Sequence, residues 1–146
     1  MRRLIIVSAS QHRAPDPDPI LAIDRFDGVY FRILRKHLRE GRLRGVDILV
    51  LSDTYGVLDS NDLVPLHHPS DKIAVTEQAR VSNLTKLREM LKKTSYSEIY
   101  VVCGKEFQAL IRGFEEFANA PITHCQGRGL GCKARSLKDW ILAHSK

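Results

Sequence analysis

Four groups of polar and basic residues stand where apolar segments of the chain end, and their side chains have the types that bind ligands or catalyse reactions. The groups lie at residues 8–13, 52–56, 104–105 and 126–133, with the sequences SASQHR, SDTYG, GK and QGRGLGCK. Each apolar segment before them is predicted to be a strand, and ligands of open parallel sheets bind beyond the carboxyl ends of the strands. The four groups are therefore expected to converge on one polar cleft.

Three side chains in these groups have the types that acid–base catalysis requires. Asp53 can act as a base or stabilise a developing cation, and His12 and Tyr55 can donate a proton. This set indicates cleavage of an N-glycosidic or phosphoester bond in a nucleotide-like substrate. The structural alternative is an Asx-turn at Asp53, with Tyr55 packed over the core.

The segment QGRGLG at residues 126–131 has the composition of a phosphate-binding loop. Its three glycines let a ligand approach the backbone closely, and the start of the following helix carries a partial positive charge. Arg128 and Lys133 add further positive charge. The spacing differs from that of the dinucleotide-binding fingerprint and from that of the P-loop. The segment is equally typical of a flexible connector whose glycines satisfy turn geometry.

Apolar strands alternate with amphipathic helices along the chain. The strands are predicted at residues 3–9, 46–51, 98–104 and 121–125. Helices are predicted at residues 26–40 and 72–93, with a third beginning at Lys105 and a fourth that carries Leu137, Trp140 and Ile141. This order is typical of a parallel sheet covered on both faces. We expect a single α/β domain over residues 1–146, a three-layer α/β/α sandwich with an open, mostly parallel four-stranded sheet of Rossmann-like or flavodoxin-like type.

Two long segments are predicted to be loops. Residues 10–24 contain three prolines, which favour an extended path over a helix. The second loop runs from Ser52 to about residue 70 and includes the sequence LHHPSD at residues 66–71. Its adjacent histidines point in different directions and have no third metal ligand at a fixed spacing. A loop with Ser70 or Asp71 capping the next helix is therefore predicted in place of a metal site.

Length and composition fit one domain without membrane association. The 146 residues, of which 43% are hydrophobic, are enough for one core. No apolar run reaches the roughly 20 residues of a membrane span, and the N-terminal apolar run is shorter than that of a signal peptide. The three cysteines match no zinc spacing and indicate reduced thiols. We expect a cytoplasmic protein with no metal and no cofactor.

The net charge of +6 permits binding to polyanions. A stripe of basic residues covers the first long helix and continues beyond it. Its members are Arg32, Arg35, Lys36, Arg39, Arg42 and Arg44. Those on the helix are spaced by three or four residues and share one face. Such a stripe can contact the phosphates of a nucleic acid, although a solvated helix face has the same pattern.

Two segments of the chain resemble a known family of small domains. The first is a strand ending in serine, a proline-containing loop and the helix FDGVYFRILRKHL; the second is LSDTYGVLDSNDLVP. They are similar to domains with an LSAKYGLV-type motif, found in uncharacterised bacterial and phage proteins, in the peroxide-stress protein YaaA and in an accessory domain of archaeosine synthase. The ending GRGLG…LKDWI is similar as well.

This resemblance implies a three-layer α/β/α fold and an association with nucleic acids or modified-base chemistry. It also implies that Ser8, Ser52, Tyr55 and Gly56 are signature positions. The chain departs from the motif at Thr54, where the family pattern has a lysine.

The sequence as a whole predicts a nucleotide- or nucleic-acid-binding domain with its cleft at the carboxyl ends of the strands. One alternative is an enzyme that acts through Asp53, His12 and Tyr55. Another is an interaction module whose strand-end loops satisfy one another and leave no pocket. The residues predicted to bind the ligand are Ser8, Ser10, Arg13, Ser52, Gly56, Lys105, Gly127, Arg128, Gly129, Gly131 and Lys133.

Overall fold

Alternating strands and helices make up the computed structural model, which describes residues 2–10, 12–66 and 76–145. The strands of this part of the chain are β1 (Arg2–Ser8), β2 (Ile20–Leu21), β3 (Val46–Ser52), β4 (Gly56–Asp59), β5 (Leu63–Val64), β6 (Tyr96–Val102) and β7 (Ile122–His124). The helices are α1 (Ala22–Arg25), α2 (Val29–Arg39), α3 (Glu77–Lys93), α4 (Lys105–Gln108) and α5 (Gly129–Ala143). Two short 3-10 helices, Ala109–Ile111 and Phe114–Glu116, follow α4.

The main sheet has five strands in the order β4-β3-β1-β6-β7. Strand β1 is central and parallel to both neighbours, with Ile5 opposite Ile48 on one side and Tyr100 on the other. Residues 4–7 are almost completely buried because apolar side chains cover both faces of the sheet. This mixed α/β architecture, with a mostly parallel sheet, confirms the α/β class predicted from the sequence.

Two apolar clusters lie on opposite faces of the sheet. The first contains Phe31 and Leu34 of α2 together with Leu137 and Ile141 of α5. The second cluster contains Leu87 of α3 and residues of both 3-10 helices. The alternation of side chains along β1 divides the strand between them, because Ile5 and Val7 join the first cluster whereas Leu4 and Ile6 join the second.

The prediction of four strands is wrong, because part of the second predicted loop is a fifth strand of the sheet. Strand β4 pairs antiparallel with β3, and Ser52 lies opposite Gly56 across the turn. The Ser52 hydroxyl accepts hydrogen bonds from the N–H groups of Thr54 and Tyr55, both at 3.0 Å. Gly56 then adopts a φ of +75°, which favours glycine. A tight reversal with its own hydrogen bonds therefore stands where the polar run predicts a loop.

The proline-rich segment also contains regular structure that the prediction of a loop over residues 10–24 misses. Its last part forms β2 and most of α1. Strand β2 pairs antiparallel with β5 in a separate two-stranded sheet. The prolines precede both elements, so they exclude a helix only over the residues they occupy.

Three helix boundaries differ from the prediction. Helix α2 begins at Val29 instead of residue 26, because Phe26 forms an isolated bridge with Arg13. The third helix is broken after four residues, and Gly113, with a φ of +98°, separates the two 3-10 helices. Helix α5 begins at Gly129, inside the predicted loop 126–131.

The side chain of Thr76 caps α3 by accepting a hydrogen bond from the Ala79 N–H at 3.0 Å. The capping residues predicted for this helix, Ser70 and Asp71, and the histidine pair at 67 and 68 lie outside the described residues.

A completely buried arginine, Arg25, holds the proline-rich segment against the rest of the protein. Its Nη1 donates to the carbonyl oxygens of Ala14 at 2.6 Å and Asp16 at 2.8 Å. Its Nη2 donates to the carbonyl of Asp18 at 2.5 Å, and its Nε donates to that of Val64 at 3.1 Å. One guanidinium group therefore joins three carbonyl groups of the segment to β5.

Some residues of the predicted basic stripe are already engaged in contacts within the protein. Arg35 donates to the carbonyl oxygens of Ile23 and Phe26 at 2.9 and 2.8 Å. Both Arg35 and Arg32 form ion pairs with Asp27. Two of the four cations on this helix face therefore share one carboxylate. This face has less free positive charge with which to contact the phosphates of a nucleic acid.

Replacement of Arg25 by methionine is expected to destabilise the protein by roughly 3 kcal/mol or more, because several buried carbonyls would lose their donor. Urea denaturation followed by circular dichroism measures this change. Arg32→Met is the matched control, since its surface ion pair contributes less than about 1 kcal/mol. Equal effects of the two substitutions would contradict the structural role of Arg25.

Candidate functional site

A cleft of about 620 Å³ opens at the carboxyl ends of β1 and β6, between the first turns of α2, α4 and α5. Its lining comes from four segments of the chain. These are residues 8–10 with His12, residues 28–31, residues 104–107, and residues 129–130 with Lys133. The loops after β1, β6 and β7 thus meet as the sequence predicts, whereas the turn after β3 does not contribute to the lining.

The cleft has a sheltered floor and an exposed rim. Ser8 and Phe31 are buried, and the side chains of Tyr30 and Lys133 are half-buried. His12, Lys105, Glu106 and Leu130 are exposed. A ligand in the cleft would therefore meet hydroxyl, phenol and ammonium groups at depth, and groups of both charge signs nearer to solvent.

The ionisable side chains that line the cleft have no partner in the described part of the chain. No hydrogen bond or ion pair joins any of these side chains to another described residue. They are His12, Tyr30, Lys105, Glu106 and Lys133. Charged residues elsewhere are often paired, as in Arg2–Asp47 and Arg80–Glu77. The groups around the cleft are thus available to a ligand.

Two long helices begin at the cleft without a side-chain cap. Gly28, which has no side chain, is the N-cap of α2, and Arg128, whose guanidinium has no acceptor, is the N-cap of α5. By contrast, Thr76 caps α3, which begins elsewhere. The first-turn N–H groups of a helix have no intrahelical acceptor, and they favour negative charge. Both helix starts therefore add to the positive character of the cleft.

Ser10 shapes the cleft through hydrogen bonds to the backbone. Its hydroxyl accepts a hydrogen bond from the Gly28 N–H at 3.1 Å and donates to the His12 carbonyl at 2.7 Å. A Cβ at position 28 would lie 2.6 Å from the Ser10 Cβ, so only glycine permits this approach. The contact fixes the loop after β1 against the start of α2, and the Ser10 hydroxyl is already engaged within the protein.

Burial keeps the acidic hydroxyl and thiol groups near the floor protonated. It raises the pKa of Tyr30 to about 12, and the nearby thiols of Cys125 and Cys103 act in the same direction. Burial likewise raises the pKa of Cys103 and Cys125 above the usual value of a thiol. At neutral pH, Tyr30 is therefore a hydrogen-bond donor, and neither thiol is an activated nucleophile.

The predicted residues of the second strand end lie in the turn between β3 and β4, outside the cleft lining. Ser52 stabilises that turn, and a Cβ at Gly56 would collide with the Asn83 side chain. Of the three predicted catalytic residues, His12 lines the cleft, but Asp53 and Tyr55 do not. The structure therefore does not bring the three together in this cleft.

Four further predicted ligand-binding residues also lie outside the lining. The Arg13 guanidinium is 5.1 Å from the centre of the Phe26 ring. A Cβ at Gly127, whose φ is +109°, would collide with Cys132, so this glycine is required by packing. Arg128 is exposed at the start of α5, and Gly131 follows within the helix.

The lining includes residues that sequence reasoning assigns to other roles. Helical spacing places Tyr30 and Phe107 in apolar stripes, and Gly28, Glu106 and Leu130 belong to no predicted site. All five lie close to the start of a helix, and α4 and α5 follow strands whereas α2 follows α1. Position in a βα unit is the signal that identifies Glu106, Phe107 and Leu130, because the first turn of such a helix faces the carboxyl edge of the sheet. No such signal identifies Gly28 and Tyr30.

The described residues contain neither a metal-binding cluster nor a helix that could span a membrane. This part of the chain contains no group of three or more histidine, cysteine or acidic residues placed to hold a metal ion. Its cysteines, Cys103, Cys125 and Cys132, form no disulfide. None of its helices is both long enough and apolar enough to span a bilayer.

Comparison with known proteins identifies a similar fold and no family. No protein-family model matches the chain, and no curated protein matches it. A similar solved structure is described as "Crystal structure of AF0587, a protein of unknown function". The similarity has a TM-score of 0.57 at 12% sequence identity and covers 95% of this chain and 44% of that one. The chain thus spans less than half of the similar protein, and the likeness concerns the fold alone.

Tyr55→Phe is expected to stabilise the protein by about 1 kcal/mol, because its buried hydroxyl has no hydrogen-bond partner among the described residues. Thermal unfolding followed by circular dichroism measures the change. Tyr96→Phe is the control and should destabilise, since the Tyr96 hydroxyl donates to Asp47 at 2.8 Å. A lower melting temperature for Tyr55→Phe would show that its hydroxyl is bonded in solution.

Proposed function

We propose that the cleft binds a nucleotide or a closely related phosphorylated small molecule. The observation that carries this proposal is the set of cations that form no ion pair with another described residue, in a cavity that also has aromatic walls. Lys105 and Lys133 supply positive charge, while Tyr30, Phe107 and Leu130 supply ring and apolar surface. A nucleotide combines the two matching features, since it carries a charged phosphate and a flat heterocyclic ring.

The phosphate has suitable partners on two sides of the cleft. Lysine ammonium groups bind phosphates as point charges. The uncapped starts of α2 and α5 offer N–H groups and a favourable dipole. The sequence instead predicts that Arg128, Lys133 and three glycines bind the phosphate. Of these five residues, only Gly129 and Lys133 line the cleft.

The size of the cleft also favours a small ligand. Its volume of about 620 Å³ lies within the ~300–1,000 Å³ that small-molecule sites occupy. The mixture of apolar walls with a few polar groups is typical of such sites. A module that only binds other proteins has no need of this cavity, so the cavity favours ligand binding over the interaction module considered from the sequence.

Binding is favoured over bond cleavage through Asp53 by the position of that residue. Cleavage through Asp53 needs this residue beside the ligand, and Asp53 does not line the cleft. His12 does line the cleft, and its side chain forms no hydrogen bond or ion pair with another described residue. Catalysis through His12 is therefore the second candidate function. The resemblance to domains associated with nucleic acids and modified bases supports a nucleotide-like ligand under either reading.

We propose a finer description of the fold as well. Apolar clusters on both faces of the sheet support a three-layer, Rossmann-like sandwich. In such folds ligands bind at the carboxyl edge of the sheet, where the cleft lies. The cytoplasmic location stays a prediction from the sequence.

Lys133→Gln is expected to abolish most of the stabilisation that a nucleotide gives to the wild-type protein. A thermal-shift panel of nucleosides, nucleotides and short oligonucleotides tests this, since a ligand at ~100 times its Kd adds about 2.7 kcal/mol. Arg128→Gln removes the same charge at the start of the same helix but outside the cleft, and should keep the shift. A flat panel for the wild type would contradict the proposal, and a shift with oligonucleotides alone would favour a nucleic-acid surface.

Gly104→Ala is expected to weaken nucleotide binding without weakening the fold. Gly104 lines the cleft, and a Cβ added there meets no protein atom within 4 Å, so the methyl group has room unless a ligand takes it. Calorimetric titration and thermal unfolding measure the two effects separately. Gly131→Ala is the matched control outside the lining and should stabilise α5 by up to ~1 kcal/mol. Unchanged affinity for Gly104→Ala would show that the ligand does not approach this side.

A further inference from the structure

The cleft is divided chemically between its floor and its rim. The polar side chains at the floor are those of Ser8, Tyr30 and Lys133, which are buried or half-buried. The carboxylate of the described lining is that of Glu106, which is exposed at the rim beside Lys105. An anion at the floor therefore meets hydrogen-bond donors, whereas an anion at the rim meets a lysine next to a repelling carboxylate.

The polar side chains at the floor come from three different elements of the fold, and the Ser8 hydroxyl already donates to the Val102 carbonyl at 3.5 Å. Ser8 ends β1, Tyr30 stands in the first turn of α2, and Lys133 stands in the first part of α5. Tyr30 and Lys133 each interact electrostatically with the Cys103 and Cys125 thiols. Both side chains therefore lie near the thiols that follow β6 and β7, and they belong to α2 and α5, which pack in the same apolar cluster.

Tyr30 is suited to act as a donor to a ligand. Its hydroxyl forms no hydrogen bond with another described residue. The phenol is protonated at neutral pH, because burial raises its pKa to about 12. The hydroxyls of Tyr96 and Tyr100 are occupied, since Tyr96 donates to Asp47 and Tyr100 bonds Ser136 at 2.7 Å. The Tyr55 hydroxyl also has no described partner, but Tyr55 does not line the cleft.

We propose that a nucleotide enters this cleft phosphate first, and that Tyr30 is a specificity-determining residue whose hydroxyl donates to a phosphate oxygen beside Lys133. The ribose and base then lie toward the rim, where Glu106 accepts a hydrogen bond from a hydroxyl or amino group of the ligand. This inference rests on the proposed function and adds to it the orientation of the ligand. It predicts selection for the phosphorylated form over the free nucleoside.

The test compares each nucleoside with its own 5′-monophosphate. Calorimetric titration gives the affinities of adenosine, guanosine, cytidine and uridine and of their monophosphates for wild type and Tyr30→Phe. The substitution removes one oxygen and keeps the ring. The preferred monophosphate should lose about tenfold or more in affinity, as for a hydrogen bond to a charged group. Binding of the nucleoside should stay within about twofold. Tyr55→Phe, which alters a phenol outside the cleft, should change neither affinity.

A second pair of variants tests the depth of the phosphate independently of Tyr30. Lys133→Gln at the floor should reduce the preference for monophosphate over nucleoside by more than Lys105→Gln at the rim. Thermal unfolding of each variant without ligand confirms that it is folded. This pair keeps the inference testable even if Tyr30→Phe disturbs the packing of α2.

The outcomes separate this inference from the function on which it rests. If the wild type binds no nucleoside or nucleotide, the proposed function fails and the inference fails with it. If the wild type prefers a monophosphate but Tyr30→Phe weakens both ligands equally, or neither, the function stands and the orientation is wrong. A selective loss of nucleoside affinity, or a larger effect at Lys105 than at Lys133, would place the base at the floor and overturn the inference.

Discussion

A buried positive charge without a carboxylate partner among the described residues organises the segment that crosses from β1 to α2. The Arg25 guanidinium lies in the interior and is solvated by backbone carbonyls of Ala14, Asp16, Asp18 and Val64. A buried ion is costly unless its hydrogen-bonding groups are satisfied. The segment must therefore bend so that several carbonyls point inward at one place. That requirement gives a proline-rich stretch, which has little regular backbone hydrogen bonding, one defined path.

The geometry of the cleft follows from that path. Before Arg25 and after it, the two arms of the segment run side by side, since the Asp27 N–H donates to the His12 carbonyl at 2.9 Å and the Ala14 N–H donates to the Arg25 carbonyl at 2.7 Å. Ser10 then bonds the Gly28 backbone and brings the start of α2 over the end of β1. The donors at the floor thus depend on a charge that does not line the cleft. Tyr30 and Lys133 belong to α2 and α5, which pack together in the first apolar cluster.

The parts of this structure that sequence reasoning predicts well are those that one local pattern determines. Strands β1, β3 and β6 contain continuous apolar runs, and such runs are typical of buried parallel strands. Strand β4 is too short to show a period, and its turn resembles a loop because Ser52 hydrogen-bonds within it. No sequence pattern indicates that Arg25 is buried, since its partners are backbone carbonyls. Helical spacing predicts that Tyr30 belongs to the core. A residue that packs on the core and also lines a cavity has the same spacing as a residue that only packs on the core, so the sequence does not distinguish the two.

The distinction between structural and functional polar residues in this chain depends on which hydrogen bonds the fold already uses. Three polar side chains already bond backbone groups or arginines and so hold the chain in position. They are those of Ser10, Ser52 and Asp27. Lys105, Lys133 and Tyr30 gather at one cavity and serve no such purpose among the described residues. Lys133 adds a positive charge at the floor of the cleft and Lys105 adds one at its exposed rim. Under the proposed function, an anionic ligand would be attracted by both charges and would accept a hydrogen bond from the Tyr30 hydroxyl.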